Sequence, residues 1–227
     1  MTVRYFLLLV VLSLLTCRER GTQALHPAQM SDSLDIEEQS GEPDRDMHDR
    51  TVWQKPYEVI HRLGPLEYLT VADIGAGSGY FSFRFIHEAA RVIAIDIDPD
   101  LIRLMDQEKQ FYRPDLRRKF EARLAEAADP KLLDGEVDVV FIANTYPYLD
   151  NRADYLRNLI PKFREGGRIM IVDFKKEPTP IGPSQSNRLA QYEVELELIN
   201  AGYRLLVSDG QMLEYQYILI ATPSGKE

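Results

Sequence analysis

Short apolar segments alternate with amphipathic ones through most of the chain after residue 50. The apolar segments lie at 69–74, 92–95, 137–143 and 168–172, and residues 120–124 are a further candidate strand. Runs of this length are typical of strands that are buried on both faces of a sheet. Between them, apolar residues recur every three or four positions at 80–90, 100–110 and 153–163, which predicts helices. Strands that alternate with helices predict a parallel sheet with helices on both faces.

The pattern changes at both ends of this region. Apolar residues at helical spacing in 51–63 predict an amphipathic helix or helix pair that closes at Gly64 and Pro65. After a helical segment at 190–201, apolar runs at 203–207 and 215–220 are separated by a stretch that begins with Asp209 and Gly210. This arrangement predicts a β-hairpin, so that one late strand runs antiparallel to the others.

The first twenty residues differ in kind. Arg4 precedes an apolar run at 5–17, which is shorter than a comfortable membrane span but has the length of a signal-peptide core. The run ends in the letters LLTC, which resemble a bacterial lipoprotein box except that Thr16 stands where Gly, Ala or Ser is usual. Residues 1–20 are therefore interpreted as a signal peptide or membrane anchor. Lipidation of Cys17, plain cleavage and retention as an anchor remain open alternatives.

The segment that follows has the composition of a tether. Residues 21–50 are polar and acidic and show no sustained periodicity. The expected organisation is thus a signal or anchor, a tether, and one folded domain at 51–227. We expect a bacterial cell-envelope location, exported or membrane-anchored, and an anchor that leaves the domain facing the cytosol remains an alternative.

Composition and charge narrow the class of function. The chain has 227 residues, of which 44% are hydrophobic, and a formal net charge of −9. An acidic chain lacks the large basic face that binds a phosphate backbone, so no nucleic-acid partner is expected. A single cysteine and four scattered histidines show no metal-ligand spacing, so no structural metal is expected. The sequence does not indicate an oligomeric state.

The candidate site begins where the first predicted strand ends. Asp73 opens a glycine-rich segment that contains Gly75, Ala76, Gly77 and Gly79. Glycines let the backbone turn sharply and approach a ligand closely, and the N-terminus of the next helix offers N–H groups to a carboxylate. A second acid, Asp96, ends the next predicted strand, where a carboxylate can accept hydrogen bonds from ribose hydroxyls. Together these features predict a nucleoside ligand.

These motifs resemble those of the class I S-adenosylmethionine-dependent methyltransferases, small-molecule branch. Similar segments follow at 94–99, 138–146, 166–168 and 172–176, so the resemblance covers nearly everything after residue 50. It implies an α/β fold with a Rossmann-like, mostly parallel seven-stranded sheet, helices on both faces and a C-terminal antiparallel hairpin. The implied activity is direct transfer of a methyl group from S-adenosylmethionine to a small-molecule acceptor.

The resemblance also implies roles for individual residues. Gly75, Gly77 and Gly79, with Ala76 between them, would face the methionine half of the cofactor, and Asp73 would bind its ammonium group. Asp96, with Ile97 beside it, would hold the ribose. Asp129 would contact the adenine, although Asp129 and Pro130 suit a helix N-cap turn equally well.

Polar and aromatic residues after the fourth strand would line the methyl-transfer crevice. Asn144 and Tyr146 are the catalytic candidates, and Asn144 is also expected to bind the cofactor. Tyr148 is assigned more readily to packing. Pro147 and Tyr148 stand where relatives often carry a histidine, so no histidine base is expected here. Alignment of a nucleophile with an already activated methyl group can supply much of the rate acceleration.

Two further segments are candidates for a substrate lid. The first is the helix that carries Trp53, Gln54 and Tyr57, and the second is the proline-rich loop at 175–183. The two lysines that open this loop either attract an anionic substrate or are solvated at a strand end.

Two other classes of function compete with this interpretation. A nicotinamide-dependent oxidoreductase would carry Gly-x-Gly-x-x-Gly, but Tyr80 occupies the last position and no Tyr-x-x-x-Lys pair occurs. A catalytically silent protein that keeps the cofactor-binding fold is the second alternative, because a fold does not guarantee a function.

Overall fold

The computed structural model describes residues 49–225, so the predicted signal or anchor and nearly all of the predicted tether lie outside the described residues. The helices are α1 (Arg50–Gln54), α2 (Pro56–His61), α3 (Ser82–Glu88), α4 (Pro99–Glu108), α5 (Pro114–Arg117), α6 (Arg152–Leu159) and α7 (Gln191–Asn200). The strands are β1 (Thr70–Ile74), β2 (Arg91–Asp96), β3 (Phe120–Leu124), β4 (Val137–Ala143), β5 (Phe163–Phe174), β6 (Tyr203–Asp209) and β7 (Gln216–Pro223). Among these helices, none is long and apolar enough to cross a membrane.

The seven strands form one sheet in the order β3-β2-β1-β4-β5-β7-β6. Strands β1 to β5 pair in parallel, whereas β7 runs antiparallel to both β5 and β6. This confirms the predicted fold class, including the hairpin at the end of the chain. The strand order reverses between β1 and β4, and in such sheets the crevice at this reversal, outside the carboxyl ends of the strands, is where ligands bind.

The central strands are apolar throughout because they are covered on both faces, whereas the edge strands β3 and β6 are partly exposed. All five residues of β1 are buried, and alternate positions enter different cores: Val71 belongs to one cluster and Ala72 to the other. The first core takes residues from α2 to α5, and the second from α6 and α7. Burial of both faces removes the polar alternation that a half-exposed strand would show.

The folded region begins slightly earlier than the predicted boundary at residue 51. Asp49 caps α1, since its Oδ1 accepts hydrogen bonds from the Thr51 N–H at 2.8 Å and the Thr51 hydroxyl at 2.6 Å. The predicted helix pair is present, and it breaks at Lys55, whose φ of 46° is left-handed. Pro56 then starts α2 in its first turn, where a backbone N–H would have no partner within the helix and its absence in proline costs nothing.

Candidate cofactor site

Two cavities meet at the carboxyl edge of the sheet, at the reversal between β1 and β4. The first, of about 240 Å³, is lined by Ile74, Gly75, Ile95, Asp96, Ile97, Ala125, Glu126, Ala127, Thr145, Tyr148, Leu149 and Tyr155. The second, of about 170 Å³, is lined by Arg50, Asp73, Gly75, Ala76, Gly77, Ser78, Tyr80, Phe81, Ala143, Asn144 and Thr145. Because Gly75 and Thr145 line both, the two cavities form one crevice, which we call the cofactor crevice.

Gly75 lies where the two parts of this crevice meet, next to Thr145. Its φ is +72°, and a Cβ placed there would lie 2.3 Å from the Thr145 side chain. The N–H groups of Gly75 and Ala76 both donate to the Ile95 carbonyl, at 2.9 and 3.0 Å. The loop is therefore held against β2 on one side and against the end of β4 on the other, and the absence of a side chain makes this approach possible.

Asp96 holds the same loop from the neighbouring strand. Its Oδ2 accepts a hydrogen bond from the Gly77 N–H at 2.8 Å, and its Oδ1 accepts one from the Asp98 N–H at 3.0 Å. A carboxylate offers about four lone-pair sites, so each oxygen keeps capacity for a ligand hydroxyl. Asp96 thus has a structural role in the loop in addition to the ribose role predicted for it.

Gly79 was predicted to face the cofactor, but it lines neither part of the crevice. Its φ is +86°, and an added Cβ would lie 2.6 Å from the Phe83 ring. The missing side chain makes room for an aromatic residue of α3. The backbone from Gly77 to Phe81 forms turns, and the helix itself starts only at Ser82.

Opposite charges meet in the second part of the crevice. Asp73 is buried, and its Oδ2 accepts a hydrogen bond from the Ser82 hydroxyl at 2.6 Å. Burial raises the pKa of this carboxyl from 3.8 to about 6, although the Ser82 hydrogen bond and the Arg50 charge act in the opposite direction. Arg50 lies over the Tyr80 ring at 4.0 Å from its centroid. An acid and a guanidinium at one cavity suit a ligand that carries both an ammonium and a carboxylate group.

The first part of the crevice is mainly apolar, as a flat aromatic base requires. Ile97 lies on its wall with 61% of its surface exposed. Asp129 is absent from this wall: it is half-exposed, and its Oδ1 accepts a hydrogen bond from the Lys131 N–H at 2.8 Å. This is an Asx turn, and no helix follows it, so neither predicted role of Asp129 is seen. Ala125 to Ala127 line the wall in its place.

The two tyrosines after β4 exchange the positions expected for them. Tyr146 is fully buried in the second core, and its hydroxyl donates to Glu197 Oε2 at 2.6 Å. Burial, with the Glu197 carboxylate, raises the pKa of Tyr146. Tyr148 is 57% exposed and lines the crevice. The catalytic assignment of Tyr146 is thus corrected to a packing role, and Tyr148 replaces it at the crevice.

Asn144 does reach the crevice, through an uncommon backbone conformation. Its φ is +58°, a left-handed value that asparagine tolerates better than most residues. Its N–H donates to the Val172 carbonyl at 2.9 Å, and its Oδ1 accepts a hydrogen bond from Gln216. The chain bends at this residue, and Thr145 after it lines both halves of the crevice.

Sequence reasoning missed Arg188, which organises the proline-rich loop. This arginine is buried and donates to four backbone carbonyls at 2.6–3.2 Å: those of Lys175, Glu177, Ile181 and Pro183. The two lysines at the start of the loop are already engaged: Lys175 donates to the Glu214 carbonyl at 2.7 Å, and Lys176 pairs with Glu193 at 3.3 Å. Arg188 follows the polar residues 184–187, and nothing in that sequence indicates that its side chain is buried.

A family model described as a methyltransferase domain matches residues 67–215 of the chain. This chain belongs to that methyltransferase family. The match runs from just before β1 to just before β7 and includes every residue that lines the cofactor crevice except Arg50. It confirms the class of enzyme predicted from the sequence and its cofactor, S-adenosylmethionine.

Curated relatives and solved structures agree with this assignment. The chain is 30% identical over 121 residues to a tRNA U34 carboxymethyltransferase from Actinobacillus succinogenes, a match that covers 52% of this chain and 36% of that protein. The chain therefore spans little more than a third of the length of the curated relatives it matches. A SAM-dependent methyltransferase from Aquifex aeolicus has a TM-score of 0.71 at 23% identity, covering 80% of this chain and 98% of that one.

A second solved structure has a named ligand. The glycopeptide N-methyltransferase MtfA in complex with S-adenosyl-L-methionine has a TM-score of 0.63 at 16% identity and covers 74% of this chain and 92% of that one. Identities this low show a shared fold.

Proposed function

We propose that this methyltransferase binds S-adenosylmethionine in the cofactor crevice and transfers its methyl group to a small-molecule acceptor by direct displacement. The observation that supports this best is the order of groups along one crevice. Asp73 and Arg50 provide opposite charges at one end, Asp96 provides a hydroxyl acceptor in the middle, and an apolar wall forms the other end. This order matches the amino-acid, ribose and adenine parts of the cofactor.

The chain's residues would act mainly by positioning. S-adenosylmethionine, when bound, supplies a methyl group that is already activated by the sulfonium. No histidine or cysteine is found among the described residues that line the two cavities. Alignment of the acceptor and exclusion of water then remain the contributions that the crevice can make. Thr145, which lines both halves of the crevice, is best placed for this role, and Asn144 lies next to it.

A third cavity provides a candidate acceptor site. It has a volume of about 480 Å³ and lies between α1 and the loop that joins β6 to β7. Its lining combines aromatic residues with both charges: Val52, Trp53, Lys55, Gln211, Met212, Glu214 and Tyr215. This volume falls within the range of small-molecule sites, which supports an acceptor of that size.

The curated relatives favour a second candidate, a tRNA acceptor, because their names specify tRNA U34. The electrostatics of this chain argue against it. The net charge is −9, and the two lysines that open the proline-rich loop pair with carboxylate or carbonyl groups. A phosphate backbone requires basic groups that are available to it. Methyl transfer to bulk tRNA, measured beside a panel of small hydroxyl, amine and thiol acceptors, separates the two candidates.

Calorimetric titration of the full chain with S-adenosylmethionine, S-adenosylhomocysteine and NAD tests the cofactor assignment. We expect micromolar affinity for the two adenosyl ligands, about −8 kcal/mol, and none for NAD. Binding of NAD alone would indicate an oxidoreductase. Cofactor binding without transfer to any acceptor would favour the catalytically silent alternative.

Asp96→Ala is expected to weaken binding of S-adenosylhomocysteine by about 1–3 kcal/mol, because ribose hydroxyls and the Gly77 N–H lose their acceptor. Asp98→Ala is the matched control, since Asp98 is an exposed cap of α4 that donates its backbone N–H to Asp96 in either form. Equal affinities for the two variants, measured by calorimetry, would exclude the role assigned to Asp96.

Cofactor affinity is also expected to depend on pH through Asp73. The raised pKa of about 6 means that this carboxyl is largely protonated at pH 5, and a neutral acid attracts an ammonium group poorly. Affinity for S-adenosylhomocysteine should therefore be about tenfold weaker at pH 5 than at pH 8 and level above pH 7. The same shift makes the ligand-free fold lose stability as pH rises from about 4 to 6, because the folded state holds the extra proton.

Asp73→Asn should remove most of this pH dependence. Asp173→Asn is the matched control, because burial raises the pKa of Asp173 to about 7 but Asp173 does not line the crevice. A pH profile that disappears with Asp173→Asn and persists with Asp73→Asn would reverse the assignment.

We further propose that residues 1–20 hold the domain at the cell envelope. The support is the apolar run at 5–17 and its LLTC ending. Incorporation of radiolabelled palmitate that is lost in Cys17→Ser would demonstrate lipidation. Recovery of the protein wholly in the soluble periplasmic fraction would rule out retention as an anchor.

A further inference from the structure

Four polar side chains form a continuous line of hydrogen bonds from α1 to the crevice. Arg50 Nε donates to Gln54 Oε1, Gln54 Nε2 donates to Gln216 Oε1 at 2.9 Å, and Gln216 Nε2 donates to Asn144 Oδ1. Both glutamines are fully buried, at 0% exposure. Buried amides carry a large penalty if a polar group is left unpaired, so their orientations are strongly determined.

Arg50 gives this line a single direction. Each carboxamide has a donor end and an acceptor end, and either could face its neighbour. A guanidinium can only donate, so Gln54 must present its oxygen to Arg50 and its N–H to Gln216. Gln216 must then present its oxygen to Gln54, which leaves its N–H for Asn144. We call these residues the amide relay.

The relay determines which end of Asn144 faces the crevice. Its oxygen is engaged by Gln216, and its backbone N–H donates to Val172. The side-chain N–H groups are therefore the donors that Asn144 has left for a ligand. Asn144 lines the same half of the crevice as Arg50 and Asp73, where the amino-acid end of the cofactor is proposed to lie.

We propose that Arg50, Gln54 and Gln216 are positioning residues that orient Asn144 so that its amide N–H groups bind the carboxylate of the cofactor. This inference rests on the proposed function. It makes α1 a part of the site although two of the three residues lie outside the crevice lining. Without the relay, Asn144 would be free to present its oxygen, which repels a carboxylate.

A double-mutant cycle in the full chain tests the relay. Gln216→Met keeps the length of the side chain but removes its donor, and Asn144→Gly keeps a residue that accepts φ of +58° but removes the amide. Each single variant is expected to weaken S-adenosylhomocysteine binding about tenfold. Because Gln216 acts only through Asn144, adding Gln216→Met to Asn144→Gly should cause no further loss.

A merely structural role for Gln216 would give the opposite result. Its effect would then appear undiminished in the Asn144→Gly background, and additive losses would overturn the relay. Gln216→Leu, which also removes the donor to Asn144, provides a second cycle with Asn144→Gly if Gln216→Met fails to fold. Thermal melts and the fluorescence of Trp53, the only tryptophan of the chain, show whether α1 stays in place.

Gln110→Met is the matched control, because Gln110 is an exposed glutamine next to α4 whose side-chain N–H donates to the Asp106 carbonyl. Unchanged affinity is expected for this variant. Failure of the wild-type chain to bind S-adenosylhomocysteine would refute the proposed function and the relay together. Wild-type binding with additive losses in both cycles would refute the relay alone.

Discussion

Gly75→Ala is expected to abolish measurable binding of S-adenosylhomocysteine and to destabilise the domain by about 3 kcal/mol. Two costs combine in this estimate. A left-handed backbone costs a non-glycine residue about 1–2 kcal/mol, and overpacking a rigid site costs about 1–3 kcal/mol more. The added Cβ would lie 2.3 Å from Thr145, whose position is determined by the end of β4.

The effect on binding should exceed the effect on stability. Gly75 and Thr145 line both halves of the crevice, so separating them displaces the surface on which the whole ligand lies. A shift of a few tenths of an ångström cannot relieve a 2.3 Å contact, and the loop must move.

Gly77→Ala separates the steric cost from the backbone cost. Gly77 has a φ of +60°, but nothing lies within 4 Å of the Cβ that alanine would add. This variant should lose only about 1 kcal/mol of stability and keep the N–H that donates to Asp96. Chemical denaturation measures the loss of stability of each variant, and calorimetry measures its affinity for S-adenosylhomocysteine. Equal losses for the two variants would show that the contact with Thr145 is not what requires glycine at position 75.

Arg188→Met is expected to open the loop at 175–188 and to destabilise the domain by about 3 kcal/mol, because four backbone carbonyls lose their donor together. Methionine keeps an unbranched apolar side chain but also removes the guanidinium group, whose central carbon lies 5.1 Å from the centroid of the Phe174 ring. Lysine would restore only part of the loss, since an ammonium cannot match the planar fork of five donors. Limited proteolysis should cut the variant within this loop before any other described segment.

Phe174 connects the loop at 175–188 to α1. This ring contacts Trp53 of α1 at 5.5 Å between centroids, and an added Cβ on Gly182 of the loop would lie 2.5 Å from it. The loop and α1 both pack against Phe174, and α1 lines the proposed acceptor cavity. In Arg188→Met, acceptor turnover should therefore fall more than cofactor affinity. Arg118→Met, at an exposed arginine that ends α5, is the matched control and should alter neither quantity. Protease resistance in Arg188→Met equal to that of this control would contradict the role assigned to Arg188.

Most of the architecture was predictable because burial leaves a direct mark on sequence. The strands β1, β2 and β4 are apolar on both faces, and the predicted limits of β3 and β4 agree with the structure. The acid near the end of β1, the glycines after that strand and the acid at the end of β2 were also predictable as one site, because parallel strands bring their carboxyl ends to one edge.

The direction of individual side chains was not predictable in the same way. Tyr146 and Tyr148 are two residues apart in one turn, and their sequence context does not distinguish them. The left-handed Asn144 just before them decides that Tyr146 returns to the core and Tyr148 faces the crevice. Asp129 shows the same difficulty, since a turn and a ligand contact require the same residue type.

The sequence by itself determined that the chain forms a mostly parallel sheet with a closing hairpin, and where the cofactor loop lies, because these depend on local periodicity and on glycine. Three features were decided only by the tertiary structure. Arg188 donates to four carbonyls of the loop at 175–188, Arg50 lines the cofactor crevice, and two distant glutamines form a hydrogen bond. Gln54 and Gln216 lie 162 positions apart in the chain. Their pairing depends on how α1 packs against β7, and no local pattern carries that information.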